Sequence, residues 1–77
     1  MTNKIKVLII DDHPLMRRGI KQLIELAEKF VVVGEVGGGN EGIVQALKTE
    51  PDLIILDLNM KGLSGLDTLK ALRSEGI

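Results

Sequence analysis

Asp11 and Asp12 stand side by side directly behind the apolar run Val7-Leu8-Ile9-Ile10, and Asp57 stands directly behind a second run, Leu53-Ile54-Ile55-Leu56. Acids at the carboxyl ends of strands in an open parallel sheet fall where such sheets bind ligands, provided the strand order reverses between them. Carboxylates gathered there repel one another, and their pKa values rise unless a cation compensates. Mg²⁺ suits that role, because it is a hard ion held by one or two carboxylates with water and phosphate oxygens completing its shell. A metal beside a carboxylate also neutralises an incoming phosphoryl group, which lets the carboxylate attack as a nucleophile and form an acyl phosphate. The chemistry predicted is one acid as acceptor and two as metal holders. The plainer reading of each acid is a helix cap, above all for Asp12, which precedes His13-Pro14. His13, alone in a strand-to-helix turn, reads as structural before it reads as a metal ligand or phosphoryl carrier.

The elements that must position these acids are short. Three apolar runs, the two above and Val31-Val32-Val33, are continuous rather than alternating, as expected of strands covered on both faces. Helical spacing follows each. Leu15, Met16, Gly19, Ile20, Leu23, Ile24 and Ala27 share a face from Pro14 to Glu28, with Pro14 fitting a first turn. Ile43, Val44 and Leu47 do so from Glu41 to Thr49, with Asn40 as the expected N-cap. Leu66, Leu69 and Leu72 do so from Gly65 to Glu75, with Ser64 and Asp67 as a capping box and Gly76 as a stop. Glu50-Pro51-Asp52 ends the second helix. The order βαβαβα predicts right-handed crossovers onto a parallel sheet. If the second strand flanks the first on one side and the third flanks it on the other, all three acids meet. Three strands make a thin α/β domain, so the pattern reads as the front portion of a larger fold.

Composition narrows the class. A chain of 77 residues with no cysteine has neither a disulfide staple nor a thiolate metal site, and buries only about 60% of its unfolded surface. The net charge of −1 offers no electrostatic grip on DNA or a membrane, and Phe30, the only aromatic residue, makes no stacking platform. No apolar stretch approaches a bilayer span, and the first residues lack a secretory signal. A cytoplasmic location is expected.

With these features in view, the chain resembles the receiver domain of bacterial two-component response regulators. The resemblance rests on Ile10-Asp11-Asp12-His13-Pro14, on Asp57 followed by Leu58-Asn59-Met60, and on Gly65 eight residues beyond Asp57. The wording around both acidic sites is similar to the nitrate/nitrite regulators of the NarL/FixJ family. That resemblance implies a flavodoxin-like fold, Asp57 as phosphoryl acceptor, and Mg²⁺ held by Asp12 directly and by Asp11 partly through water. Asp57 itself and the backbone carbonyl of Asn59 would complete the protein's ligands. Met60 would sit in the loop after the acceptor, and Gly65 would free the backbone at the entry to the third helix. Where the family usually has proline after that methionine, Lys61 stands here. The partner implied is a sensor histidine kinase, and the chain is expected to be a phosphoryl acceptor rather than an enzyme. Further implied, and not found in these 77 residues, are two more strands and helices with a phosphoryl-binding Ser/Thr and a pairing Lys, and a helix-turn-helix output domain that binds DNA. Lys61 is not that Lys.

Three other readings compete. Gly37 to Gly42 fits G-x-G-x-x-G after a strand, with Asp57 twenty residues on, which is a dinucleotide-binding pattern. It leaves Asp11 and Asp12 without a purpose. An inactive folding or self-association unit is a second possibility, because an order 2-1-3 leaves the third strand as an uncovered edge that invites a second copy. Arg17, Arg18 and Lys21 read as a solvated face, or, on the family resemblance, as part of a kinase-docking surface.

Overall fold

The computed structural model describes residues 3–60 and 64–77. Elements follow the predicted order: β1 Ile5–Ile10, α1 Pro14–Glu25, β2 Phe30–Val36, α2 Gly39–Thr49, β3 Leu53–Leu56 and α3 Gly65–Ser74. The sheet is wholly parallel with β1 in the middle, in the order β2-β1-β3. This is the doubly wound, flavodoxin-like α/β arrangement, and it places the reversal of strand order at β1.

The continuity of the apolar run explains why β1 is central. Val7, Leu8, Ile9 and Ile10 are all completely buried. Successive side chains of a strand point to opposite faces, so burial of all four requires cover on both. Leu8 and Ile10 join Ala46, Met60 and Leu72 in the core on the α2 and α3 side, with Val36, Ile43, Ile54 and Leu56 packed around them. Val7 and Ile9 face the other side, where α1 lies against β2 and β1. Each such side chain contributes roughly 1.5–3 kcal/mol through burial.

Several boundaries differ from expectation for identifiable reasons. β2 continues past Val33 to Val36 because the pairing shifts between Val7 and Leu8, so that Val32 faces Val7, Gly34 faces Leu8 and Val33 is the extra residue. Gly34 belongs at that shift, since a Cβ there would sit 3.1 Å from Leu8 Cδ1. α1 ends at Glu25 rather than Glu28, because the Ala27 N–H closes a three-residue turn onto Ile24 O at 3.0 Å. α2 starts at Gly39, so its N-cap is Gly38 and not Asn40, which lies in the first turn; the Gly42 N–H donates to Gly38 O at 2.9 Å. Glu50 closes α2 in the left-handed region at φ 47° ahead of Pro51.

Ser64 caps α3 as predicted, the Asp67 N–H donating to Ser64 Oγ at 3.1 Å; the Asp67 carboxylate answers through the Ser64 hydroxyl, which donates to Oδ2 at 3.0 Å. Gly76 follows the helix at φ +80°.

The predicted apolar stripe of α1 is only partly used. Leu15, Met16 and Leu23 are exposed, and no residue of α1 is fully buried. On that side of the sheet α1 is the one helix among the described residues, and Leu53 at the start of β3 is exposed as well.

Close approach rather than turn geometry sets the demands on two glycines. A Cβ on Gly42 would collide with Ile10 Cδ1, and one on Gly65 would collide with the Asp57 carbonyl oxygen and Leu58 Cα. Side chains can shift more cheaply than backbone. Gly65→Ala is therefore expected to lower stability by about 1–3 kcal/mol through forced backbone displacement. Gly19→Ala, in α1 with open space around it, is expected to raise stability by up to about 1 kcal/mol through helix propensity. Urea midpoints of the two variants against the wild type check both signs.

Candidate functional site

Backbone hydrogen bonds carry the sheet ladder just past its carboxyl edge. The Asp11 N–H donates to Val36 O at 3.0 Å and the Asp57 N–H donates to Ile10 O at 2.9 Å. The two strand ends are thereby level, and the carboxylates after them meet. One ligand atom from each of Asp11, Asp12, His13 and Asp57 lies within 4.8 Å of all the others. The expected convergence of the three acids is what the strand order delivers.

His13 sits among them. Its Nδ1 lies 3.0 Å from Asp11 Oδ1, 3.0 Å from Asp12 Oδ1 and 3.2 Å from Asp57 Oδ2. Its backbone N–H also donates to Asp11 Oδ1, at 2.8 Å, an Asx turn that bends the chain from strand into helix. The bland reading of His13 as a turn residue is thus incomplete, because the acids gather around its imidazole, which is positive when protonated. The available signal was the Asp-x-His spacing itself. The cap reading of Asp12 does not hold: the N-cap of α1 is His13, and no side chain caps that helix.

The electrostatics follow from this packing. Two carboxylates 4 Å apart repel by about 4 kcal/mol at an effective dielectric of 20, so three need a compensating cation. Burial pushes the Asp11 carboxyl upward, but hydrogen bonds from the His13 backbone and ring outweigh it and hold the group below its usual value. The hydrogen bond to Asp11, then the charges of Asp12 and Asp57, raise His13 above its usual value despite some desolvation. An imidazolium supplies one positive charge against three negative ones. The donor set, all carboxylate oxygen apart from that ring, fits a hard divalent ion. Asp57 Oδ2 is buried and accepts no hydrogen bond, with the His13 ring 3.2 Å away as its charge partner.

Asn59 reaches the site by its backbone: its N–H donates to Asp57 Oδ1 at 2.9 Å and so orients the carboxylate. Met60 is not simply a loop residue, since its side chain is buried in the core beneath the site. Gly65 lies against the Asp57 carbonyl, as expected of a position that must stay open. Lys61 falls outside the described residues. Arg17 departs from the solvated-face reading, its side chain mostly covered and its Nε 3.2 Å from Glu35 Oε1; Arg18 stays exposed, as that reading has it, with Nε 3.9 Å from the same oxygen, and Lys21 Nζ lies 3.5 Å from Glu35 Oε2. Sequence reasoning passed over Glu35; an acid inside an otherwise apolar strand was the signal.

The dinucleotide reading loses its geometry. The glycines follow β2 and Asp57 follows β3, with β1 standing between them, whereas a pyrophosphate and its ribose acid require adjacent strands.

Residues 7–76 match the response regulator receiver domain family. The chain belongs to that family. It is 71% identical over 77 residues to a nitrate/nitrite response regulator protein homolog of Haemophilus influenzae, covering all of this chain and 37% of that protein. It is 57% identical over 72 residues to the nitrate/nitrite response regulator protein NarP of Escherichia coli, covering 94% of this chain and 34% of that one. The chain therefore spans about a third of the length of these curated relatives. Among solved structures, the response regulator domain of Thermotoga maritima CheB superposes with a TM-score of 0.90 at 33% identity, over 94% of this chain and 54% of that one. A LuxR-family two-component response regulator from Aurantimonas superposes with a TM-score of 0.89 at 29% identity, over 95% of this chain and 52% of that one. The receiver family and the flavodoxin-like fold expected from the sequence are both borne out, and the similarity to nitrate/nitrite regulators holds as well.

A pH dependence follows from His13. A group whose folded pKa is raised binds its proton more tightly in the folded chain, so its contribution is complete below the ordinary value of 6.5 and is lost as pH rises through the raised folded value. Without divalent metal, wild-type stability is expected to fall across that window relative to His13→Gln, with the two curves converging above it. Urea unfolding at a series of pH values makes the comparison.

Proposed function

We propose that this chain is the phosphoryl-accepting front portion of a receiver from a nitrate/nitrite-type two-component transcription regulator. Asp57 is the acceptor; Asp11, Asp12, Asp57 and the Asn59 carbonyl hold Mg²⁺. The observation that carries this reading is the gathering of three carboxylates from two neighbouring strand ends around the His13 imidazole. When bound, Mg²⁺ supplies the positive charge that lets a phosphoryl group approach these acids.

In the reaction, an oxygen of the Asp57 carboxylate attacks the phosphorus of a phosphohistidine on a sensor histidine kinase. The new O–P bond forms as the P–N bond breaks, and the imidazole leaves with the bonding electron pair. The protein acts as acceptor rather than as an enzyme. Asn59 N–H holds the carboxylate in its attacking orientation, and Gly65 keeps the loop after Asp57 close to the start of α3. Leu15 and Met16, exposed beside the acids, offer the donor an apolar seat. In the full-length protein two further strands with their helices and a DNA-binding helix-turn-helix domain would read out the modification. A cytoplasmic location accords with that role, and no helix of the described residues is long and apolar enough to cross a membrane.

Titration with Mg²⁺ followed by amide chemical shifts is expected to give saturable changes at residues 11–13 and 57–60, weakened in Asp57→Asn. A small phosphoramidate donor with Mg²⁺ is then expected to add one phosphoryl group, detected by intact mass, to the wild type and none to Asp57→Asn. Addition to the Asn variant would place the acceptor elsewhere.

The outer edge of β3 supports a second reading of the partners. Among the described residues β3 pairs only with β1, and its run Leu53 to Leu56 is that of an inner strand. We expect self-association through this edge, as unpaired edges template further strands. Light scattering at rising concentration should show dimers or larger species that Ile55→Lys reduces; a monomer throughout would contradict the edge pairing.

A further inference from the structure

We propose that Arg17 is a positioning residue for the acidic site, clamping the Asp11–Asp12 turn through the main-chain carbonyl of Asp11. The inference rests on the reading of Asp11, Asp12 and Asp57 as metal-holding groups, and concerns what holds two of them in place. The β1 ladder toward β2 reaches its end where the Asp11 N–H meets Val36 O. The Asp11 carbonyl lies beyond that ladder, in a buried residue, and needs an acceptor's partner of its own. Arg17 provides it, donating from Nη1 at 2.7 Å.

The same guanidinium donates from Nε to Glu35 Oε1 at 3.2 Å, so a single planar group ties the end of β1 to β2. Both side chains are only 20% exposed, which sets Arg17 apart from Arg18 at 73%. The arrangement is built closely: a Cβ on Gly37 would lie 3.1 Å from Arg17 Nη1, a tight contact that the guanidinium would have to relieve by shifting a few tenths of an ångström. Glu35 is kept ionised, burial working against it but the Arg17 hydrogen bond and the charges of Lys21 and Arg18 holding its carboxyl below the usual value.

The peptide plane between Asp11 and Asp12 includes the clamped carbonyl, so its orientation sets the direction of both carboxylates. Mg²⁺ demands near-ideal octahedral geometry, and small misplacements of its ligands weaken it. A lysine cannot replace the clamp, because one ammonium lacks the planar fork that serves the carbonyl and the carboxylate together.

Simple charge and positioning predict opposite signs. Removing a cation near three acids should tighten Mg²⁺ binding if charge alone matters, whereas loss of the clamp should weaken it. Arg18→Ala is the matched control, since it removes the same charge from an exposed neighbour 3.9 Å from Glu35. Three quantities are measured on the 77-residue chain: the Mg²⁺ dissociation constant from amide-shift titration, the metal-free amide shifts of Asp12 and His13, and the urea midpoint.

Arg17→Ala is expected to weaken Mg²⁺ by about tenfold, the usual scale for groups that orient metal ligands, and to move both amides. Arg17→Lys should not restore the affinity, and Arg18→Ala should leave it unchanged or slightly tighter. Mg²⁺ binding as tight as wild type in Arg17→Ala, with a lowered urea midpoint only, would make Arg17 a structural residue and overturn the proposal. Should Arg17→Ala fail to fold, Glu35→Gln, which loses the charge but keeps an acceptor, is expected to weaken Mg²⁺ in the same direction, and no weakening overturns the clamp. If the wild type binds no Mg²⁺, the metal-site reading falls. The metal-free shifts of Asp12 and His13 in Arg17→Ala against Arg18→Ala then decide the clamp by themselves.

Discussion

β1 is hydrogen-bonded along both edges and covered on both faces, and every other element takes its place from contact with it or with its neighbours. A strand in that position has no polar outlet until it ends. The chain emerges at Asp11, where the ladder to β2 closes, and charge can be solvated from there on. The acids stand at the first place that the buried strand permits them. Because β3 lies beside β1 in the same direction, Asp57 emerges level with them.

Gathering three carboxylates at one edge creates a repulsion that the surrounding structure must offset. It does so locally, through the His13 imidazole and two backbone N–H groups, those of His13 and Asn59, donated to carboxylate oxygens. These are charge-assisted bonds, stronger than neutral ones, and they orient the carboxylates as well as stabilising them. The basic residues of α1 do not offset the repulsion directly. Arg17, the nearest, is turned by Glu35 toward the backbone of the site rather than toward its side chains. A group that steadies the acids without neutralising them leaves their charge available to a metal ion.

The two faces of the sheet are unequally served. Among the described residues, Leu8 and Ile10 meet a core built from α2, α3 and the Met60 side chain, while Val7 and Ile9 are covered on the side of α1, whose own apolar residues are largely exposed. The side with the fuller core is the one that anchors the loop after Asp57, through Met60 and the close approach of Gly65. Asp57 is thereby held from beneath.

Much of this was legible in the residues. Continuous β-branched runs marked parallel strands because only a strand covered on both faces can be apolar throughout, and the Ser64–Asp67 spacing marked the start of α3 because capping is a local hydrogen-bond requirement. The acids behind Ile10 and Leu56 marked the site for the same reason: charge follows a buried run only at its end. Local spacing could not show that Val33 is an extra residue and that β2 runs on through Gly34 and Glu35, since that depends on where Leu8 lies across the ladder. Nor could it show His13 between three carboxylates or Arg17 on the Asp11 carbonyl. Those contacts join atoms from different strand ends, and their partners are set by the strand order and by the depth at which each helix packs. The sequence by itself determined the order and approximate place of the strands and helices and which residues carry charge, because these follow from neighbours along the chain. Only the tertiary structure decided which charges meet, because that follows from neighbours across it.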